Sequence, residues 1–211
     1  MFGLTSEELA LLRKLNSPRK IQDYLDALPV NFEPEGDTCL SPRRVMREQR
    51  AHCIEGAMLA ALAFRIHGQP PLVLDLTSAP KDTDHVVALF KQHGCWGAIS
   101  KTNHAVLRYR EPVYRTIREL VLSYFHEYFD DTGFKTLRSY SSPVDLTRFD
   151  KDNWMTHEES TWYIPQYLTD VKHYPLLTKP QLATLRKAHP IEIKAGEIVE
   201  WKRPQRNNET T

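Results

Sequence analysis

The run from Ala51 to Gly68 (Ala51-His52-Cys53-Ile54-Glu55-Gly56-Ala57-Met58-Leu59-Ala60-Ala61-Leu62-Ala63-Phe64-Arg65-Ile66-His67-Gly68) constrains this chain most. It is a long alanine-rich helix pattern, closed by glycine, with a thiol at its threshold. A helix start carries unpaired N–H groups and the positive end of the dipole, and both stabilise a thiolate. The same N–H groups can hold an oxyanion. Further along, Asp84-His85-Val86-Val87-Ala88-Leu89-Phe90 is a short apolar strand pattern with a histidine near its start, which supplies a base. A lone cysteine is more often a small buried hydrophobe than a nucleophile. What gives Cys53 weight is the order of helix-start cysteine, strand histidine and a following strand.

That following strand, Gly94-Cys95-Trp96-Gly97-Ala98-Ile99-Ser100-Lys101, is set off by His93-Gly94, a two-residue hairpin turn. With those two residues as the loop, Gln92 faces Cys95. The same register carried back puts His85 opposite Thr102, with Ser100 as its diagonal neighbour on the same face.

In this order the residues resemble the transglutaminase-like (papain-fold) superfamily, over residues 40 to 110. In that family the third member of the triad is usually an aspartate on the second strand, in a Trp-x-x-x-Asp setting. Here Trp96 matches the tryptophan and Ser100 stands at the aspartate position. A carboxylate would orient the imidazole and stabilise its cation, whereas a hydroxyl only orients it. Asn103 does what the asparagine of papain-like enzymes does if the strand bends there; strict alternation points it to the other face. Gln49, four residues before Cys53, is a weaker candidate amide for an oxyanion hole, since the family spacing differs. The longer stretch from Ser41 to Arg115 is similar to a little-described group of bacterial transglutaminase-like proteins, and no activity comes with that likeness.

The resemblance implies thiol-dependent acyl transfer or hydrolysis at an amide bond of a peptide or protein, with Cys53, His85, Ser100 and Asn103 as catalytic residues and no cofactor. Water as acceptor makes a peptidase or amidase; an amine makes a transglutaminase or ligase, and the sequence leaves that choice open. The rival is a catalytically weak or inactive binding module that keeps the fold, favoured by the missing aspartate. A third alternative is a structural core in which Cys53 and His85 never meet. His52 and Glu55 flank the thiol; each can sit in the site, or serve as a surface residue and as a helix-dipole partner respectively.

Within 211 residues there is room for one domain, or for a core with an appendage. The formal charge of +1 gives no reason to expect a nucleic-acid or membrane partner. No apolar run approaches bilayer length and the start lacks a leader pattern, so a cytoplasmic location is expected. Three cysteines cannot all pair, which suits free thiols in a reducing compartment. Cys53, His85, His93, Cys95 and His104 invite a zinc reading, yet no Cys-x-x-Cys or His-x-x-x-His pair occurs there, so no metal is expected. Oligomeric state stays open.

Around the motif, Thr5–Leu15 and a segment opening at Ser17-Pro18 read as helices, and Ser41-Pro42 begins a basic helical turn. Leu72–Leu76 reads as a strand in which Asp75 needs a partner if it faces inward. Ala105–Arg110 reads as a fourth strand, and Glu111-Pro112 as the start of an amphipathic helix through Val113, Ile117, Leu120, Tyr124 and Tyr128. Later, Lys179–Ala188 reads as a helix, Ile191–Trp201 as a hairpin turning at Ala195-Gly196, and residues 205–211 as disordered. The expected fold is α+β: N-terminal helices, the cysteine helix packed across a small antiparallel sheet in a transglutaminase-like or papain-like core over residues 1–150, and a C-terminal extension over 151–211 packed on that core.

Overall fold

The computed structural model describes residues 1–34 and 36–203, so the tail expected to be disordered at 205–211 lies outside the described residues. Helix α1 (Ser6–Lys14) begins at a Thr5/Glu8 capping box, and α2 (Pro18–Ala27) begins with Ser17 as cap and proline in its first turn. Ser41 caps α3 (Pro42–Glu48) in the same way. Helix α4 (Cys53–Ile66) follows, buried without interruption from Ile54 to Phe64. A helix apolar all round has no solvent face to keep, so it becomes the centre of the packing.

Among the described residues, seven strands form one antiparallel sheet: β1 (Leu72–Thr77), β2 (His85–Gln92), β3 (Cys95–Ile99), β4 (Arg110–Tyr114), β5 (Ser139–Ser141), β6 (Val144–Asp145) and β7 (His173–Pro175). The order is β4-β3-β2-β1-β5-β7, and β6 pairs with β1 beyond β5. The chain is thus α+β, with a larger sheet than the sequence suggests. Side chains alternate between its faces. Val73, Val86, Ala88, Phe90 and Ile99 join the cluster around α4, while Leu74, Leu76, Val87, Leu89 and Ala98 pack under α5 (Ile117–Tyr124).

The β2–β3 hairpin turns at His93 and Gly94, whose φ values of 50° and 80° are those of a type I′ turn. Gln92 faces Cys95, and the ladder runs to Ala88 opposite Ile99, the register read from sequence. Gly97 has no room for a side chain, since a Cβ there would lie 2.3 Å from the Phe90 ring and 2.8 Å from the Arg110 carbonyl. The pairing of β3 with β4 shifts at this glycine.

Four local expectations are overturned. The fourth strand is Arg110–Tyr114, not Ala105–Arg110, and α5 starts at Ile117. Pro112 is accommodated because β4 is an edge strand, and the helix begins where Thr116 and Glu119 form a capping box. Residues expected as a terminal hairpin form α8 (Pro190–Gly196), started by His189, a first-turn proline and Glu192. Finally, the helix expected over Lys179–Ala188 is the short α7 (Lys179–Ala183), which ends at Thr184.

The C-terminal segment is woven into the same packing. Trp154 is fully buried in the cluster around α4, which Ile164 and Leu168 of α6 (Tyr163–Asp170) also join, and β7 extends the sheet. Arg65 near the end of α4 grips both carboxylate oxygens of Asp150 at 2.5 and 2.6 Å. Asp75 does face inward: Thr77 Oγ1 donates to it at 2.8 Å and His173 Nε2 lies 3.5 Å away. Burial pushes its carboxyl up to about 6.

Candidate functional site

Cys53 is the first residue of α4, with His52 as the preceding cap. The dipole and free N–H groups of the central helix therefore meet the sulfur. One turn into the helix, Gly56 lets β3 come close: a Cβ there would fall 2.6 Å from Lys101 Cβ. Glycine at this point brings the chain at Lys101, and with it Ser100, against the start of α4.

His85 opens β2 and is almost fully buried. Its Nε2 lies 2.7 Å from Ser100 Oγ. The Ser100 hydroxyl spends its hydrogen on the Leu107 carbonyl at 2.5 Å, so the oxygen accepts from His85. Nε2 therefore carries the hydrogen, and Nδ1 is the ring nitrogen left to accept one. Ser100 is fixed in turn by Gln22 of α2, whose Nε2 donates to the Ser100 carbonyl at 2.8 Å and whose Oε1 accepts its N–H at 3.0 Å. Leu107, the acceptor, sits at φ 59°, an uncommon conformation for a bulky residue. The Glu127 carboxylate accepts its N–H at 2.8 Å and helps to hold it there.

His52, the residue before Cys53, is the second imidazole that acts on the thiol. Its Nε2 is 3.0 Å from the Thr38 carbonyl oxygen, 3.4 Å from Glu55 Oε1 and 3.5 Å from Glu33 Oε1. Burial alone would push the Cys53 thiol up; hydrogen bonding to His52 and His85, and their charges, bring it well below the ordinary thiol value. Cys53 is only partly buried as a residue, whereas Cys39 has no exposed surface.

The other residues singled out from sequence lie elsewhere. Asn103 is committed to Trp201, donating to its carbonyl and accepting its N–H, both at 2.9 Å. The Gln49 amide donates to Tyr24 Oη at 3.1 Å and to the Met46 carbonyl at 2.5 Å. Neither contact involves the thiol. Gln22 is the participant that local pattern does not reveal, while His52 and Glu55, singled out in the sequence only as residues flanking the thiol, are brought together beside it. Gln22 carries a signal nonetheless, as a polar residue three before Leu25 on the buried side of α2.

A cavity of about 560 Å³ opens beside His85, between the Lys81–Asp84 turn and the Glu127–Asp131 segment. His85 is among the residues that line it. Among the described residues no cluster of histidine, cysteine or carboxylate side chains has the makings of a metal site, and no helix is long and apolar enough to cross a membrane. What the fold and site define is an α+β domain whose central helix starts with a thiol on which two imidazoles act. No family model matches the chain, and no curated protein matches it at a significant level.

Proposed function

We propose that this protein is a transglutaminase-like, papain-fold thiol enzyme that transfers or hydrolyses acyl groups at amide bonds of peptides or proteins. The observation that carries the reading is the partly buried Cys53 at the start of α4, its thiol held well below the ordinary value by two imidazoles. Cys53 Sγ passes its proton to His85 Nδ1 and attacks the carbonyl carbon. The tetrahedral oxygen is held by N–H groups at the α4 start. On collapse His85 gives that proton to the leaving nitrogen, so an amine departs and a thioester remains. Water or a second amine then releases the acyl group. Ser100 keeps the imidazole in the required tautomer. The three unpaired thiols suit a cytoplasmic setting.

A second reading has its own support, because His85 is paired with a hydroxyl and not with a carboxylate. A site without that charge favours the imidazolium less, and a binding module that keeps the fold needs none. Reaction with p-nitrophenyl acetate separates the two. The enzyme reading expects a burst of nitrophenol and an acetyl group on the Cys53 peptide, both lost in Cys53→Ser. A wild-type protein that is never acylated at Cys53, or a burst that survives Cys53→Ser, overturns it.

A further inference from the structure

His52 adjoins the thiol, and the mechanism above leaves it unused. Its Nε2 has three acceptors around it, the Thr38 carbonyl, Glu55 Oε1 and Glu33 Oε1, at 3.0, 3.4 and 3.5 Å. A ring nitrogen in that company carries a hydrogen, so Nδ1 is the atom left for the sulfur. Glu55 has no exposed surface. Its carboxylate accepts from the N–H of Leu40 at 2.8 Å, the N–H of His52 at 2.9 Å and the Asn31 amide at 3.2 Å. These donors are neutral, and a buried carboxylate also needs a counter-charge. Among the described residues, His52 is the basic side chain paired with it.

We propose that His52, balanced by the buried Glu55 and by Glu33, is a positioning residue: a fixed imidazolium that holds the Cys53 thiolate while His85 moves the proton. The inference rests on Cys53 being the nucleophile. It means that the carboxylate absent from β3 is supplied from α4, and to the other histidine. Through the cycle the Cys53 proton goes to His85 and on to the leaving amine, while His52 keeps both its hydrogens and no electron is gained or lost.

The groups facing His52 are Glu55 on its own helix, Glu33 and the Thr38 carbonyl from the loop between α2 and α3, and Cys53 itself, on which His85 of β2 also acts. Burial alone would drive the imidazolium out, but Cys53, Glu55 and the Thr38 carbonyl raise His52 to about 9. At neutral pH it is a cation.

The test is the rate of Cys53 alkylation by iodoacetamide against pH, followed by peptide mass spectrometry in the full chain. It needs no acyl substrate. His52→Gln should move the midpoint up by about one pH unit, slowing alkylation roughly tenfold at pH values below the wild-type midpoint while the high-pH plateau is kept. Glu33→Gln, on a partly exposed carboxylate, should move it less in the same sense. Glu55→Gln should follow His52→Gln if it folds; if it does not, Glu33→Gln carries that arm alone. A midpoint unmoved in His52→Gln, or a plateau lowered without a shift, overturns the proposal. If His85→Gln then moves the midpoint, the Cys53–His85 reading stands without it; if neither variant does, both readings fall.

Discussion

Cys39 and Cys53 lie on consecutive segments of one chain and have opposite chemistry. Cys39 has no exposed surface, and its Sγ meets Thr161 Oγ1 at 3.3 Å in the cluster around α4. Burial pushes its thiol up to about 12. Cys53 is crowded too, but it stands at a helix start where His52 and His85 act on it, and its thiol is driven well down. The difference teaches that burial by itself silences a thiol, and that donors and charges aimed at the sulfur reverse the effect. Reactivity here belongs to the surroundings.

The largest expected effect follows from that contrast. At neutral pH and without denaturant, Cys53 should be alkylated faster than Cys39 by on the order of 10⁴-fold, since Cys39 lacks both thiolate and access. Unfolding should bring the two rates within a few-fold of each other. Equal rates in the native fold would erase the contrast.

A smaller effect sharpens the contrast on the strand side. Ser100→Ala removes the acceptor for His85 Nε2 and should slow acylation of Cys53 by about tenfold, with Cys39 unaffected. Asn103→Ala and Gln49→Ala should each leave the rate within about twofold, because their amides are held by Trp201, Tyr24 and the Met46 carbonyl. A larger loss in Asn103→Ala than in Ser100→Ala would mean that the orienting group is not Ser100.

The strand side of the site was legible because its signals are local. A two-residue turn at His93-Gly94 fixes the hairpin register, and the register brings Ser100 beside His85 with no knowledge of the rest of the fold. On the helix side the sequence marked His52 and Glu55 as flanking the thiol but not their pairing. Glu55 becomes the partner of His52 only because Asn31, Thr38 and Leu40 close over it from a loop well before it in sequence. The pairing of the Asn103 amide is hidden for the same reason, since its partner is a backbone 98 residues away. The misread elements near Pro112 and Ile191 have a nearer cause. Apolar spacing suggested a helix and a hairpin, while the capping boxes at Thr116/Glu119 and His189/Glu192 set the true helix starts.

The central claim is that Cys53 is ionised at rest because two imidazoles face it. Ultraviolet thiolate absorbance, read as the difference between wild type and Cys53→Ser during titration from alkaline to acid pH, tests it most directly. The account predicts that the Cys53 thiolate persists through neutral pH and is lost only on acidification. An absorbance that develops only as the pH rises through about 8.5, the behaviour of an ordinary thiol, would contradict it.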